Sequence, residues 1–350
     1  MTFEFGVFHE FQRRPGQSEA EAFDTAFEQV DAAERWGLDA IWLAEIHMAP
    51  ERSVCSVPMT IASAIAARTK NIKIGTGVQV LPLCQPLRLA EDTATVDHIS
   101  HGRLLFGVGR SGFPAAYAGY GVSYEESRER FQECLDILRL AWMNETFSYS
   151  GKYFQFDNVC VMPKPYQKPH PPVRIAATTE ETYPLVGRMG YPVFLAARTV
   201  SIPDLTRFVV GYHEGRAAAG HPGRGDVALS IPVYVADTDR QARDEAEAST
   251  MQFFRAIAKA LQKSDGASQQ TTEAREGRAQ RLAEISYDDV LRERAVFGSP
   301  GTVADRLLEL RETIGFSSLS AWMNPGGQIP HERVLRSMRL FAERVMPRLG

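Results

Sequence analysis

Apolar residues recur along the chain in two alternating rhythms. Short, nearly continuous runs at residues 40–43 and 104–108 are bounded by polar residues or glycine, the pattern of strands covered on both faces. Longer stretches with helical spacing stand between such runs. Residues 19–36 put Phe23, Phe27, Val30 and Ala33 on one face, and Gly37 sits where a helix stop is expected. In chain order the pattern predicts strand 3–8, helix 19–36, strand 40–43, helix 59–68, strand 72–81, helix 87–99, strand 104–108 and helix 124–143. Residues 147–149 and 153–156 flank Ser150-Gly151-Lys152, which predicts an exposed hairpin. Residues 162–172 hold five prolines and predict an ordered loop or a linker.

The rhythm then resumes with strand 173–176, helix 181–189, strand 193–196, helix 203–219, strand 228–235 and helix 240–261. Residues 263–284 are polar and break it, so they predict an insertion. Helix 302–314, strand 318–322 and helix 332–345 complete the series, with no internal repeat. Eight strands, each followed by a helix, imply a parallel sheet. The fold class is therefore α/β, read as a (β/α)8 TIM barrel, one domain over 1–350 with its surplus length in two insertions. Strand counting alone leaves a doubly wound sheet as the rival.

Composition narrows the function classes. With 39 Lys and Arg against 43 Asp and Glu, the net charge is −4, and no basic surplus points to nucleic acid or an anionic membrane. Cys55, Cys84, Cys134 and Cys160 are far apart with no C-x-x-C pair, which predicts reduced thiols and no metal site. The opening MTFEFGVFHEF shows no basic segment followed by an apolar run, and no stretch reaches the roughly 18 apolar residues of a membrane helix. The expectation is a soluble, cytoplasmic protein.

The first candidate chemistry lies in Gly107-Val108-Gly109-Arg110-Ser111-Gly112, which fits the G-x-G-x-x-G dinucleotide fingerprint. Its context does not. That fingerprint opens a helix directly, so that the helix N-terminus faces a pyrophosphate. Here Phe113-Pro114 follows, and the helical pattern starts only near Tyr124. Two readings remain for this stretch: a βα turn without chemistry, or a loop of a barrel's catalytic face, where glycine lets a flat ligand approach the backbone and Arg110 points at the mouth.

Residues 97–110, DHISHGRLLFGVGR, resemble the signature of the bacterial luciferase-like flavin monooxygenases. Other pieces agree in order. LDAIWLAEIH at 38–47 resembles that family's second strand, which ends in a Glu-His-His-like triplet. IGTGV at 74–78, then Leu81-Pro82, Pro86 and Ala90-Glu91-Asp92, resemble its third strand and helix, and FGSPGTV at 297–303 its late Gly-Ser-Pro turn. The matches run from residue 3 to about 345. The resemblance implies a (β/α)8 barrel that binds reduced FMN at the C-terminal ends of its strands, or, in one branch, the deazaflavin F420. It also implies a homodimer, and a separate NAD(P)H:flavin reductase as the source of reduced flavin. The implied activity is a monooxygenase in which oxygen adds to reduced FMN as a C4a-peroxide that oxidises a small hydrophobic substrate. An F420-dependent oxidoreductase on the same barrel and a catalytically silent flavin-binding or partner subunit are the alternatives.

Glu45 and His47 stand two apart at a strand end, so both can point to one side of the extended chain. They form either a salt-bridged or capping pair, or a proton donor and acceptor beside the flavin. Ile46 stands where the family has its first His, which puts luciferase-type chemistry in question and lends weight to the silent-subunit alternative. The resemblance places a non-prolyl cis peptide at Gly77-Val78 under the flavin ring, a small residue at Gly109 beside it, and the Arg110 cation near its pyrimidine or phosphate. It assigns the phosphate to Arg128, with Arg130 as the alternative, and to the turn Ala177-Thr178-Thr179. A helix start with free N–H groups suits an anion, and N-capping by either threonine is compatible with that. His9, Phe113 and Trp322 are expected to line the substrate pocket. Residues 263–284 are the candidate lid that keeps water out.

Overall fold

The computed structural model describes residues 3–262 and 269–350. Eight strands form the central sheet: β1 Glu4–His9, β2 Ala40–Leu43, β3 Lys73–Thr76, β4 Leu104–Gly109, β5 Val173–Ala176, β6 Val193–Ala196, β7 Val227–Val235 and β8 Ser318–Trp322. Each pairs in parallel with the next, and β8 returns to β1 through Glu4↔Ser318 and Val7↔Ala321. The sheet is a closed barrel, so the doubly wound alternative falls. Closure removes the unpaired edges that an open sheet would leave.

The helices wrap the barrel for the reason their periodicity gave. Glu19–Arg35 is capped by Ser18, whose side chain and backbone exchange hydrogen bonds with Glu21, and it buries Ala22, Ala26, Val30 and Ala33 against the strands. Inside the ring Trp42 fills the lower layer. A Cβ on Gly75 would lie 2.2 Å from Trp42 Cε3, so only glycine lets the indole lie flat there.

Four local expectations change. The third strand stops at Thr76 and resumes as Gln79–Val80, which pairs with Val108 and Gly109. The Gly77-Val78 peptide between the two pieces is cis. Pro114–Gly119 is a helix inside what the sequence presented as loop, with Pro114 in its first turn, where a missing N–H is harmless. Val296–Gly298 is a three-residue strand on the far end of β7, not a plain turn. Gln269–Glu284 is a helix beside Asp239–Gln262, with Ala279 and Leu282 buried. Residues 263–268 of the expected lid lie outside the described residues. No helix among the described residues is long and apolar enough to cross a membrane.

The hairpin and the proline-rich loop are present. Phe147–Ser150 pairs antiparallel with Gln155–Val159, and Asp97 fixes the loop through the Gln167 backbone N–H at 2.8 Å and side-chain amide at 2.7 Å. His98 and His101 set their rings edge-on to Tyr166 at the opposite end of the barrel from the strand C-termini.

Candidate active site

The C-terminal ends of β2, β3, β4 and β5 build one continuous patch. Glu45 and His47 leave β2 on the same side, and their side chains are almost fully enclosed. Glu45 Oε1 lies 2.8 Å from His47 Nε2. Its other oxygen accepts the Val80 backbone N–H at 2.8 Å and the Gln79 side-chain amide. An ionised carboxylate only accepts, so opposite an ionised Glu45 His47 donates from Nε2 and presents Nδ1 as an acceptor. Tyr120, an exposed residue just past the short helix Pro114–Gly119, brings its hydroxyl to 3.2 Å from that Nδ1. Burial, with the Glu45 charge adding to it, raises the Tyr120 phenol above its ordinary value. Tyr120, His47 and Glu45 thus form a hydrogen-bonded chain from the surface to the floor. Ile46, between the two polar residues, packs against the core.

Val78 continues the floor toward β4. A Cβ on Gly109 would come within 2.6 Å of Val78 Cγ2 and 3.6 Å of the Ala176 Cβ. Any larger side chain at Gly109 would therefore collide with Val78. Beyond Gly109, Arg110 donates to Ser127 Oγ at 3.1 Å, and its backbone carbonyl accepts the Tyr117 hydroxyl. Ser127 opens the long helix Ser127–Met143.

The two arginines left open by the sequence now separate. Arg130 pairs with Glu126 at 2.7 Å and lies 4.3 Å from the Tyr153 ring centre. Arg128 is exposed, and no hydrogen bond or ion pair engages it among the described residues. The turn after β5 lies next to this region because β5 pairs with β4. Ala177 is buried and Thr178 exposed, while Thr179 Oγ1 lies 2.9 Å from Thr182 Oγ1. Neither threonine caps the helix Thr182–Met189; that position falls to Glu181, without a side-chain bond.

Of the expected pocket residues, Trp322 is buried at the end of β8, Phe113 is partly buried, and His9 points away from the barrel interior. Phe8 points inward, edge-on to Trp322 with ring centres 5.9 Å apart, so the next residue points outward. His9 is buried between barrel and helix, with Nδ1 accepting the Phe11 N–H at 2.9 Å and Nε2 2.9 Å from Gln29 Oε1. Burial holds its pKa down at about 4. Phe113 lies 5.9 Å from the Arg52 guanidinium. Tyr120, Gln79 and Ser127 escaped sequence reasoning because each works through a partner distant in the chain. No group of three or more metal-ligating side chains occurs among the described residues.

The model of luciferase-like monooxygenases matches residues 3–318. The chain belongs to that family. It is 25% identical to the oxygenase component of the flavin-dependent trigonelline monooxygenase of Acinetobacter baylyi, over 98% of this chain and 94% of the other. Its fold matches the monooxygenase RslO1 of Streptomyces bottropensis with a TM-score of 0.83 and 26% identity, each chain covered completely. The F420-dependent tetrahydromethanopterin reductase of Methanopyrus kandleri shares the barrel at TM-score 0.74 and 19% identity, again over both whole chains, which is a likeness of fold.

Proposed function

We propose that this chain is the oxygenase component of a two-component monooxygenase, using reduced FMN from a separate NAD(P)H:flavin reductase, and oxygen, to oxidise a small organic molecule. The observation that carries the proposal is the pairing of two features on one rim. Arg110, the uncommitted Arg128 and the Thr178 turn form a donor set suited to a phosphate, and the small-residue floor of Gly109, Ala176 and Ala177 leads from it to the Tyr120–His47–Glu45 chain. A flat ring with a phosphate tail fits that layout. The flavin-dependent monooxygenase related over nearly the whole chain supports the same reading.

Reduced flavin, when bound, supplies the electrons for oxygen activation; the protein holds, orients and shields it. In this chain Arg110 and Arg128 would grip the phosphate, and Val78 with Gly109 would bear the ring. Glu45 fixes the orientation and tautomer of His47. His47 Nδ1 is the atom that takes or returns a proton, and Tyr120 connects it to the exterior.

The test is an anaerobic titration with reduced FMN and, separately, reduced F420, followed by admission of oxygen. Tight binding of reduced FMN and its slowed reoxidation are expected. Preference for reduced F420, or turnover with NADH alone, would end this reading.

A further inference from the structure

We propose that the substrate of this site is an organic anion, its acidic group received by Arg198 and its apolar body by Phe8, Trp322 and Phe253. The inference deepens the monooxygenase reading and rests on it for the identification of the ligand as substrate. Arg198 follows β6 and turns into the barrel mouth. Its guanidinium lies 4.6 Å from the centre of the Phe8 ring, and its one hydrogen bond among the described residues goes to Ser230 Oγ on β7 at 3.2 Å. No carboxylate of the described residues lies within ion-pair distance. An arginine set among aromatic rings without a counter-charge is rare unless something else supplies that charge. Glu10 is the nearby acid, and Arg52 already holds both of its oxygens. Burial draws the Arg198 pKa down to about 10, with Glu10 opposing and Arg52 adding to the fall, so the group stays charged at neutral pH.

Two further donors on the barrel's inner face have no partner among the described residues. Ser320 stands in register with Ser230, so both side chains project from the same face of the sheet. Its hydroxyl is buried and unbonded, as is the indole N–H of Trp322, two residues on along the same face. Buried donors normally find acceptors. A guanidinium, a hydroxyl and an indole N–H left together in this way match an oxyanion better than an uncharged molecule. The aromatic walls close the rest of the site: Trp322 is edge-on to Phe253 at 4.6 Å, and Arg52 lies 5.4 Å from the Phe253 ring. Arg198 follows β6, two strands on from the β4 that leads into Arg110, so the two cations leave the rim at different strand ends.

The test uses benzoate as probe and benzamide as its uncharged isostere, followed by tryptophan fluorescence and calorimetry on the full chain. The wild type is expected to prefer benzoate by about tenfold or more, the scale of one charge-assisted contact. Arg198→Met should abolish the preference, Arg198→Lys should keep part of it, and Arg128→Ala should leave it unchanged. Equal binding of the two probes by the wild type would overturn the proposal. So would a preference that survives Arg198→Met, or one that disappears in Arg128→Ala, since benzoate would then occupy the phosphate end. Reduced FMN is titrated against the same variants. If Arg198→Met weakens FMN binding by about tenfold and no anion preference exists, Arg198 serves the flavin and the proposal fails. If FMN binds no variant and no wild type while benzoate preference tracks Arg198, the anion subsite stands and the flavin reading alone falls. Should Arg198→Met not fold, the Arg198→Lys and Ser230→Ala variants carry the comparison, and full retention of benzoate preference in both would count against the assignment.

Discussion

Glu45 reaches from the end of β2 to the backbone of Val80, whose N–H lies 2.8 Å from its Oε2, just past the cis Gly77-Val78 peptide. One carboxylate thereby holds His47 on one side and the segment bearing Val78 on the other. Replacing Glu45 with Ala takes the side-chain acceptor from the Val80 N–H and leaves the Gln79 amide only the Cys84 sulfur at 3.4 Å. Unfolding free energy should fall by about 1–3 kcal/mol, the cost of an unsatisfied buried polar group. Chemical denaturation of the variant against the wild type measures it.

His47→Ala should separate chemistry from binding. Loss of a positioned proton acceptor lowers turnover by on the order of 10²–10⁴-fold. Reduced FMN should bind as before, because Arg110 and Arg128 lie elsewhere on the rim. Coupled product formation, compared with anaerobic flavin titration, decides it; a parallel loss of both would assign His47 to flavin binding.

Arg128 and Arg130 are predicted to differ although they are two residues apart. Arg128→Ala removes an uncommitted cation and should weaken reduced FMN binding by roughly tenfold or more, while binding of riboflavin, which lacks the phosphate, stays unchanged. Arg130→Ala breaks the Glu126 pair and the Tyr153 contact and should lower stability by under about 1 kcal/mol, with flavin affinity intact.

Gly109→Ala places a methyl group against Val78. Overpacking of this kind costs about 1–3 kcal/mol. Val78→Ala in the same chain should restore most of the loss, and a double-mutant cycle on denaturation midpoints shows the coupling. Additive effects would show that the two residues do not meet.

Stability should decline in acid because of His9. Its folded pKa of about 4 lies below its unfolded value of 6.5, so between those two pH values the unfolded chain binds more protons. Stability is complete above pH 6.5 and falls as the pH drops toward 4, by on the order of 3 kcal/mol in all. His9→Gln, which can still hydrogen-bond, should lose that part of the pH slope in urea melts at pH 7 and pH 4.

Sequence reading went furthest where one residue pattern admits one structure. Buried strands 40–43 and 104–108 announce themselves as apolar runs, and their alternation with amphipathic helices leads to a parallel sheet, which the pairing of β8 with β1 closes into a barrel. Glu45 and His47 share a side because a strand repeats every two residues. The same rule could not decide which face His9 takes, since barrel strands are apolar toward both the interior and the helices. The split of the third strand, the helix Pro114–Gly119 and the strand Val296–Gly298 are shorter than a periodicity can register.

What the chain determined by itself is the order of strands and helices, and with it the rim on which Glu45, His47, Gly77, Gly109 and Arg110 assemble, because local hydrophobic periodicity and strand-end position are one-dimensional properties. Tertiary structure alone decided that Arg130 is committed while Arg128 has no ion pair among the described residues, that Tyr120 completes the His47 chain, and that Arg198, bonded to Ser230, has no ion pair among the described residues beside the unpartnered Ser320 and Trp322 donors of the inner face. Each of those outcomes depends on a partner tens to hundreds of residues away, or on the absence of one, and a partner of that kind exists only once the barrel has closed.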